Sequence, residues 1–212
     1  MVPSPDVVAF VRAALPAPPV RVLEIGAGDG ALAAVLAEAG CDVLAVDPAS
    51  AAPHVRPLAV ADLDEPAGSF DAAVAVVSLH HVEPLQESCR KIAELIRPGG
   101  RLIVDEFDVE RFDERAARWL LAQWAAVGRE NAEDAPGLVA ALRDHIHPVA
   151  LLTETLAADF TLGEPVRGPY LHRWELPPGL WRAEVDLIAA GALPATGARF
   201  VAERRASQRI FS

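Results

Sequence analysis

Short apolar runs bounded by turn residues alternate with helix-spaced apolar positions through the first half of the chain. The runs are "VRVLEI" (20–25), "CDVLAVD" (41–47), a weaker "VRPLAVAD" (55–62), "FDAAVAVVSL" (70–79) and "RLIVDEF" (101–107). The fourth is apolar at consecutive positions, which predicts a strand covered on both faces. Between the runs, "ALAAVLAEA" (31–39) closed by Gly40 predicts a helix. Leu85, Cys89, Ile92, Leu95 and Ile96 share one face of a second helix, which "RPGG" stops before the fifth strand. A short helix opened by Ser4 precedes them, joined through "PAPP" (16–19). Strands that alternate with helices predict an α/β fold with a mostly parallel sheet and helices on both faces.

After residue 107 the rhythm changes. Phe112, Ala116, Leu120, Trp124 and Val127 form one stripe of a long helix, and "HIHPVALLTETLAADF" (145–160) is helical in parts. Late strands are expected at "PYLHRWEL" (169–176) and "ARFVAERR" (198–205), with helix "LWRAEVDLIAA" (180–190) between them. The order predicts five parallel strands and two closing ones, seven in all, in a single domain over 1–212. Residues 108–168 read as a helical cap or substrate-facing insertion.

Composition narrows what such a domain binds. A length of 212 residues suits one domain with a full core, and 52% hydrophobic with 23% charged residues suits a soluble globular protein. No apolar stretch approaches a bilayer span, and "MVPSPDVVAF" lacks the basic start of a secretory signal, so a cytoplasmic location is expected. A net charge of -11 with scattered arginines disfavours nucleic acid and points to a small-molecule partner. Of the 19 basic residues only Lys91 is lysine, a bias that, with abundant Ala and Pro, fits a G+C-rich bacterial genome. Cys41 and Cys89 have neither CxxC nor metal spacing and read as small buried hydrophobes.

The chemistry starts at "VLEIGAGDG" (22–30), which places Gly26, Gly28 and Gly30 at alternate positions after the first strand. "GAGDGA" fits the dinucleotide pattern GxGxxG/A, and Asp47 follows Gly26 by 21 residues, where an NAD-binding acid is expected. Charge separates the two cofactors that fit. A diphosphate would sit at the start of the following helix, where Asp29 opposes it. S-adenosylmethionine carries a sulfonium, an ammonium and a ribose diol, which acids favour or bond. Acids fall where successive strands end: Glu24, Asp47, Asp62, and Asp105 or Glu106. In an open parallel sheet those ends converge on the ligand crevice.

These motifs, with "LHHV" (79–82) and "LIRPGGRLIV" (95–104), make the chain resemble the class I S-adenosylmethionine-dependent methyltransferases, in their small-molecule subgroup. The likeness covers residues 20–107 and implies a Rossmann-like methyltransferase fold. By that resemblance Gly26, Gly28 and Gly30 approach the methionine part of the cofactor and Glu24 helps hold its amino group. Asp47 grips the ribose hydroxyls, as a carboxylate that accepts two hydrogen bonds can. Asp62 accepts from the adenine amino group with Leu63 beside the ring, and Ser78 lines the cofactor near its sulfur. S-adenosylhomocysteine is the implied product. Taken singly, a glycine after a strand is often a plain turn, "DP" at 47–48 a turn opener, and Asp62 with Asp64 and Glu65 a solvated acidic loop.

Methyl transfer needs alignment, exclusion of water and, for some acceptors, a base. His80 and His81 follow the fourth strand; His81 is the first candidate base, and the alternative is that the pair only orders this loop. His145 and His147 form an HxH pair that reads as a loop or substrate contact in preference to a metal fragment, so no metal is expected. Trp119 and Trp124 read as packing, and Tyr170, His172 and Trp174 as one face of a late strand. Two other functions stay open. An NAD(P)-dependent oxidoreductase is weakened by the distance between Lys91 and the single tyrosine, Tyr170, which leaves no YxxxK pair. A non-catalytic module that binds S-adenosylmethionine is the other. The accepting atom and the oligomeric state are not legible.

Overall fold

The computed structural model describes residues 4–177 and 179–206. Strands form at all five apolar runs: β1 (Arg21–Ile25), β2 (Asp42–Val46), β3 (Val55–Arg56), β4 (Phe70–Val76) and β5 (Ile96–Phe107). They are parallel and ordered β3-β2-β1-β4-β5. The strand order therefore reverses between β1 and β4, so the chain ends of these two strands open a crevice there. The third run yields only two paired residues, because Pro57 interrupts it and the chain turns into a 3₁₀ turn at Val60–Asp62.

The closing strands run antiparallel. β8 (Gly197–Arg204) pairs with β5, and β6 (Phe160–Leu162) and β7 (Val166–Gly168) both pair with β8. They share one edge position, broken at Pro165, and Gly163 N–H still donates to Val201 O at 2.8 Å. The eight strands thus fill seven positions. The strand expected at 169–176 does not exist: the penultimate strand is 160–168, and Leu171–Arg173 is a 3₁₀ turn. Its cause lies in α7 (Leu180–Ala189), where the fully buried Glu184 accepts the backbone N–H groups of Tyr170, Leu171 and His172 at 2.7–2.9 Å. A carboxylate that takes three successive N–H groups leaves none for a ladder.

Alternation along the strands fills two cores. Val22, Val74 and Ile103 face α1 (Pro5–Ala14) and α2 (Ala31–Glu38); Leu23, Ala73 and Leu102 face α3 (Leu85–Leu95) and α6 (Val149–Leu156). At the N-cap of α1, the Ser4 hydroxyl bonds Asp6 and makes no backbone cap bond. A further core lies past the strand ends, under α4 (Glu114–Ala126) and α5 (Ala135–His145). It is aromatic: Phe107, Phe112, Tyr170, Trp124 and Trp174 are in ring contact, and Trp124 Nε1–H donates to Trp174 O at 2.9 Å. Trp124 is therefore packing, and Trp119 is half-buried against the same core. Val127 leaves the expected stripe because α4 ends at Ala126, and it is 47% exposed. Of residues 108–168, α4 and α5 build this third core, α6 joins the main one, and 160–168 is the edge strand. Among the described residues no helix is long and apolar enough to cross a membrane.

Candidate active site

Each motif residue is delivered by the end of an element. β1 ends at Ile25, and the chain turns through Gly26, Gly28 and Gly30 with φ of 68°, 56° and 75° before α2 begins. Left-handed backbone at every second residue is what glycine tolerates. The three glycines do different work. A Cβ on Gly26 would lie 2.3 Å from Ser78 Cβ, and one on Gly30 would lie 2.9 Å from Val55 and against His54. Gly28 faces open space. Gly26 and Gly30 thus serve close packing, and Gly28 keeps the outer side of the loop bare. Gly28→Ala is expected to fold, with a strain of about 1–2 kcal/mol, a lowered melting temperature and weakened donor binding. Gly26→Ala, which also meets Ser78, is expected to lose more stability in the same thermal melt.

Glu24 is 4% exposed, and among the described residues its Oε2 has no hydrogen-bond partner. Burial pushes its pKa up to about 7; the backbone N–H of Ala33 opposes this and the charge of Asp47 adds to it. A buried acid raised in this way recovers its charge most readily when a cation comes beside it. Asp47, at the end of β2, accepts from Gly28 N at 2.9 Å and Ala49 N at 2.8 Å, and Ser50 Oγ donates to Gly28 O at 2.5 Å. These bonds tie the β2 end to the glycine loop. Asp29 accepts from Ala31 N at 3.2 Å, so a carboxylate already occupies the start of α2 where a diphosphate would bind.

Asp62 sits at the end of the 3₁₀ turn, exposed. Leu63 is 1% exposed and its side chain belongs to the main core. Glu65, in the same acidic run, is gripped by Arg21 and Arg56 at 2.9 Å each. Those bonds hold its carboxyl below the usual range. Of the two acids on β5, neither is open. Asp105 is bonded by Arg173 at 2.7 Å and Arg199 at 2.5 Å, and Arg199 reaches on to Asp6 of α1. Glu106 is 0% exposed and points to the opposite side of the sheet, into the turn after β4.

That turn carries the rest. Val77 has φ of 54°, a strained value for a β-branched residue, and packs against the aromatic core of the cap. Ser78 donates its hydroxyl to Ile25 O at 2.8 Å, beside Gly26. Leu79–His81 is a 3₁₀ turn in which His80 is buried, 4% exposed, and His81 is exposed. Their rings are 4.1 Å apart. Partial desolvation, then the neighbouring His80, lowers the pKa of His81 below the ordinary 6.5. The HxH pair comes to this turn from the cap: His147 N–H donates to His80 O at 2.9 Å and its Nε2 lies 2.9 Å from Glu83. His145 Nδ1 instead bonds Ala141 O, inside α5. Among the described residues no group of three or more His, Cys, Asp or Glu is arranged to hold a metal.

The site therefore gathers Glu24, the glycine loop, Asp47 and Ser78 around the ends of β1, β2 and β4, with the histidine turn beside them. A cleft of about 650 Å³ between α3 and α6, lined by Glu87, Arg90 and Glu154 among others, lies away from these residues. The sequence did not single out His54, Ser50 or the strain at Val77, and it offered Glu106 only as the alternative to Asp105 among acids converging on the crevice, whereas the structure turns it onto the loop after β4. Only the acid's place at a strand end was a signal.

A glycine turn at the switch point of a parallel sheet, ringed by acids, defines a Rossmann-like domain of the class whose methyl donor is S-adenosylmethionine. The chain matches the methyltransferase domain family over residues 5–163 and belongs to it. It is 34% identical over 137 residues to an uncharacterized methyltransferase of Mycobacterium tuberculosis, covering 58% of this chain and 68% of that one. It is 30% identical over 202 residues to the ubiquinone biosynthesis O-methyltransferase of Xanthomonas campestris, covering 87% and 81%. Among solved structures, the 1,6-didemethyltoxoflavin N1-methyltransferase of Burkholderia thailandensis superposes with a TM-score of 0.58 at 21% identity, covering 95% and 78%.

Proposed function

We propose that this methyltransferase acts on a small molecule whose accepting oxygen or nitrogen carries a proton, with His81 as the base. The observation that carries the donor side is the buried, unpartnered Oε2 of Glu24 beside Asp47 and the bare face of Gly28. When bound, S-adenosylmethionine supplies a methyl group on a cationic sulfur. Glu24 faces the donor's positive charge, and Asp47 exchanges part of its loop bonding for the ribose hydroxyls. Asp62 lies on the adenine side, and Ser78 fixes the distance between the β4 turn and the glycine loop. His81 is held neutral by its lowered pKa, so near neutral pH it takes the acceptor's proton as the methyl group passes to oxygen or nitrogen and neutral thioether leaves. The cap helices α4 and α5 cover the acceptor side. The named relative that methylates oxygen supports an acceptor of this kind.

Titration calorimetry tests the donor assignment. Wild type is expected to bind S-adenosylmethionine and S-adenosylhomocysteine and not NADH; binding of NADH alone would refute it. Asp47→Ala is expected to weaken the donor roughly ten- to a hundredfold, since charge-assisted hydrogen bonds contribute about 1.5–3 kcal/mol.

A further inference from the structure

Glu106 is fully buried at the end of β5, and none of the roles above uses it. Its Oε1 accepts Ser78 N–H at 2.9 Å and Leu79 N–H at 2.7 Å, and its Oε2 lies 2.5 Å from His80 Nδ1. One carboxylate thus holds the turn whose first residue touches the glycine loop and whose last is the proposed base. The chain makes the same device a second time. Glu184 accepts Tyr170, Leu171 and His172 N–H, and its Oε2 lies 2.8 Å from His172 Nδ1. Both are Leu-His turns led by residues of nearly equal backbone angles, φ -135° and ψ -37° at Ser78, φ -145° and ψ -37° at Tyr170. The second copy lies in the turn after β7 and holds Tyr170 in place of Ser78, which makes it a comparison for a merely structural role.

The geometry points to Glu106 as a positioning residue of the active site: it fixes the proton of His80 on Nδ1 and sets the turn that presents His81 to the acceptor. A carboxylate has only acceptors, so the ring nitrogen facing it must carry hydrogen. His80 Nε2 is then left as the nitrogen free to accept. The His80 ring in turn lies against that of His81 at 4.1 Å. Groups facing His81 besides His80 are Glu106 from β5, the backbone of His145 at the end of α5, and His147 from the α5–α6 connection; Glu83 pairs with His147. Tyr170 feels the charge of Glu106 from the cap side, and the burial that dominates its environment keeps it a neutral phenol. This inference rests on His81 as the base, but its first readout needs no acceptor.

Glu106→Gln is the test. The two backbone N–H groups keep the amide oxygen on their side, which turns the amide N–H₂ toward His80 Nδ1. The imidazole proton must then move to Nε2. Spectra of ¹⁵N-labelled protein are expected to show His80 changing from the Nδ1–H to the Nε2–H tautomer. His81 is expected to titrate at lower pH than in wild type, because the negative charge that favoured its protonated form is gone. Donor affinity should be unchanged, and with an acceptor in hand kcat should fall while KM for the donor holds. Glu184→Gln should move the His172 signals only. His80→Asn, which keeps a donor for Glu106 but removes the ring, is the second variant and should move the His81 titration the other way, to higher pH. An unchanged His80 tautomer, an unmoved His81 titration in both variants, or equal kcat losses in Glu106→Gln and Glu184→Gln would overturn the proposal. Wild type that fails to bind the donor would refute the function itself instead.

Discussion

His81→Ala is expected to lower turnover by about 10²–10⁴-fold, the range a positioned base contributes, while donor affinity stays at the wild-type value. The separation follows from the architecture. The donor contacts proposed above come from the ends of β1 and β2 and from the loop at Gly26, Gly28 and Gly30, none of which depends on the exposed imidazole. The pH dependence has a definite sign. A base must be neutral, and the pKa of His81 lies below 6.5 because of partial desolvation, then the nearby His80. At saturating donor, turnover should therefore be level at alkaline pH and fall on acidification through the lowered value. Glu106 works against this shift, so its removal should carry the acid limb further down. Steady-state rates from pH 5 to 8, with calorimetry on the same variant, check both parts. A variant within about threefold of wild type would remove His81 from the chemistry and leave it an ordering role in the turn.

Glu24→Gln is expected to stabilise the donor-free protein and weaken donor binding. The raised pKa of Glu24, from 4.5 to about 7 with burial as its main cause, decides the signs. Below pH 4.5 the group is protonated in folded and unfolded chains alike. Between 4.5 and 7 the unfolded chain releases the proton and the folded one keeps it, so stability falls as pH rises through this window. Above about 7 the loss is complete, at roughly 3 kcal/mol for a buried group at about 1.4 kcal/mol per pH unit. The glutamine variant removes this cost, so its unfolding midpoint in urea at pH 8 should exceed that of wild type, and the two should converge near pH 4. Binding runs the other way. A cationic donor favours the ionised carboxylate, so wild-type affinity should fall about tenfold per pH unit below 7, and binding at pH 7 should release about half a proton. Calorimetry in two buffers of different ionisation enthalpy measures that proton directly. Equal heats in both, or a variant that binds as tightly as wild type, would show that Glu24 does not face the donor's charge.

A stability gain that costs affinity is what a site prepared for a charge should show. The folded protein holds an acid out of water with one oxygen unpartnered among the described residues, and in the proposed function the donor's charge supplies the compensation. The strain at Val77, where β4 meets the cap, belongs to the same pattern: backbone held in a sparsely populated region between the glycine loop and the cap core.

How much of this was legible depended on whether a residue's role is set by its neighbours in the chain. The strands at 21–25, 42–46, 70–76 and 96–107 were readable because apolar alternation and turn residues are local signals. The glycine loop and Asp47 were readable because a tight turn and its spacing to the next strand end are constraints of a parallel sheet. The segment at 169–176 misled for the converse reason. Its alternating Tyr170, His172 and Trp174 look like strand, yet Glu184 from a later helix takes the N–H groups a ladder requires. The same holds at "LHHV". The sequence placed two histidines at a strand end, but the difference between them, His80 buried on Glu106 and His81 exposed, comes from a carboxylate 26 residues away.

By itself, then, the chain's pattern determined an α/β sheet of mostly parallel strands with an acid-ringed glycine turn, since period, turn chemistry and strand-end spacing act over a few residues. Only the tertiary structure decided which acids are left with an unpaired oxygen and which are consumed by the fold. Glu24 is left with a bare oxygen, whereas Asp105 is neutralised by Arg173 and Arg199 and Glu106 is spent on a turn. Burial and pairing are set by residues brought together from distant parts of the chain, and they fix charge and proton position, which no local pattern encodes.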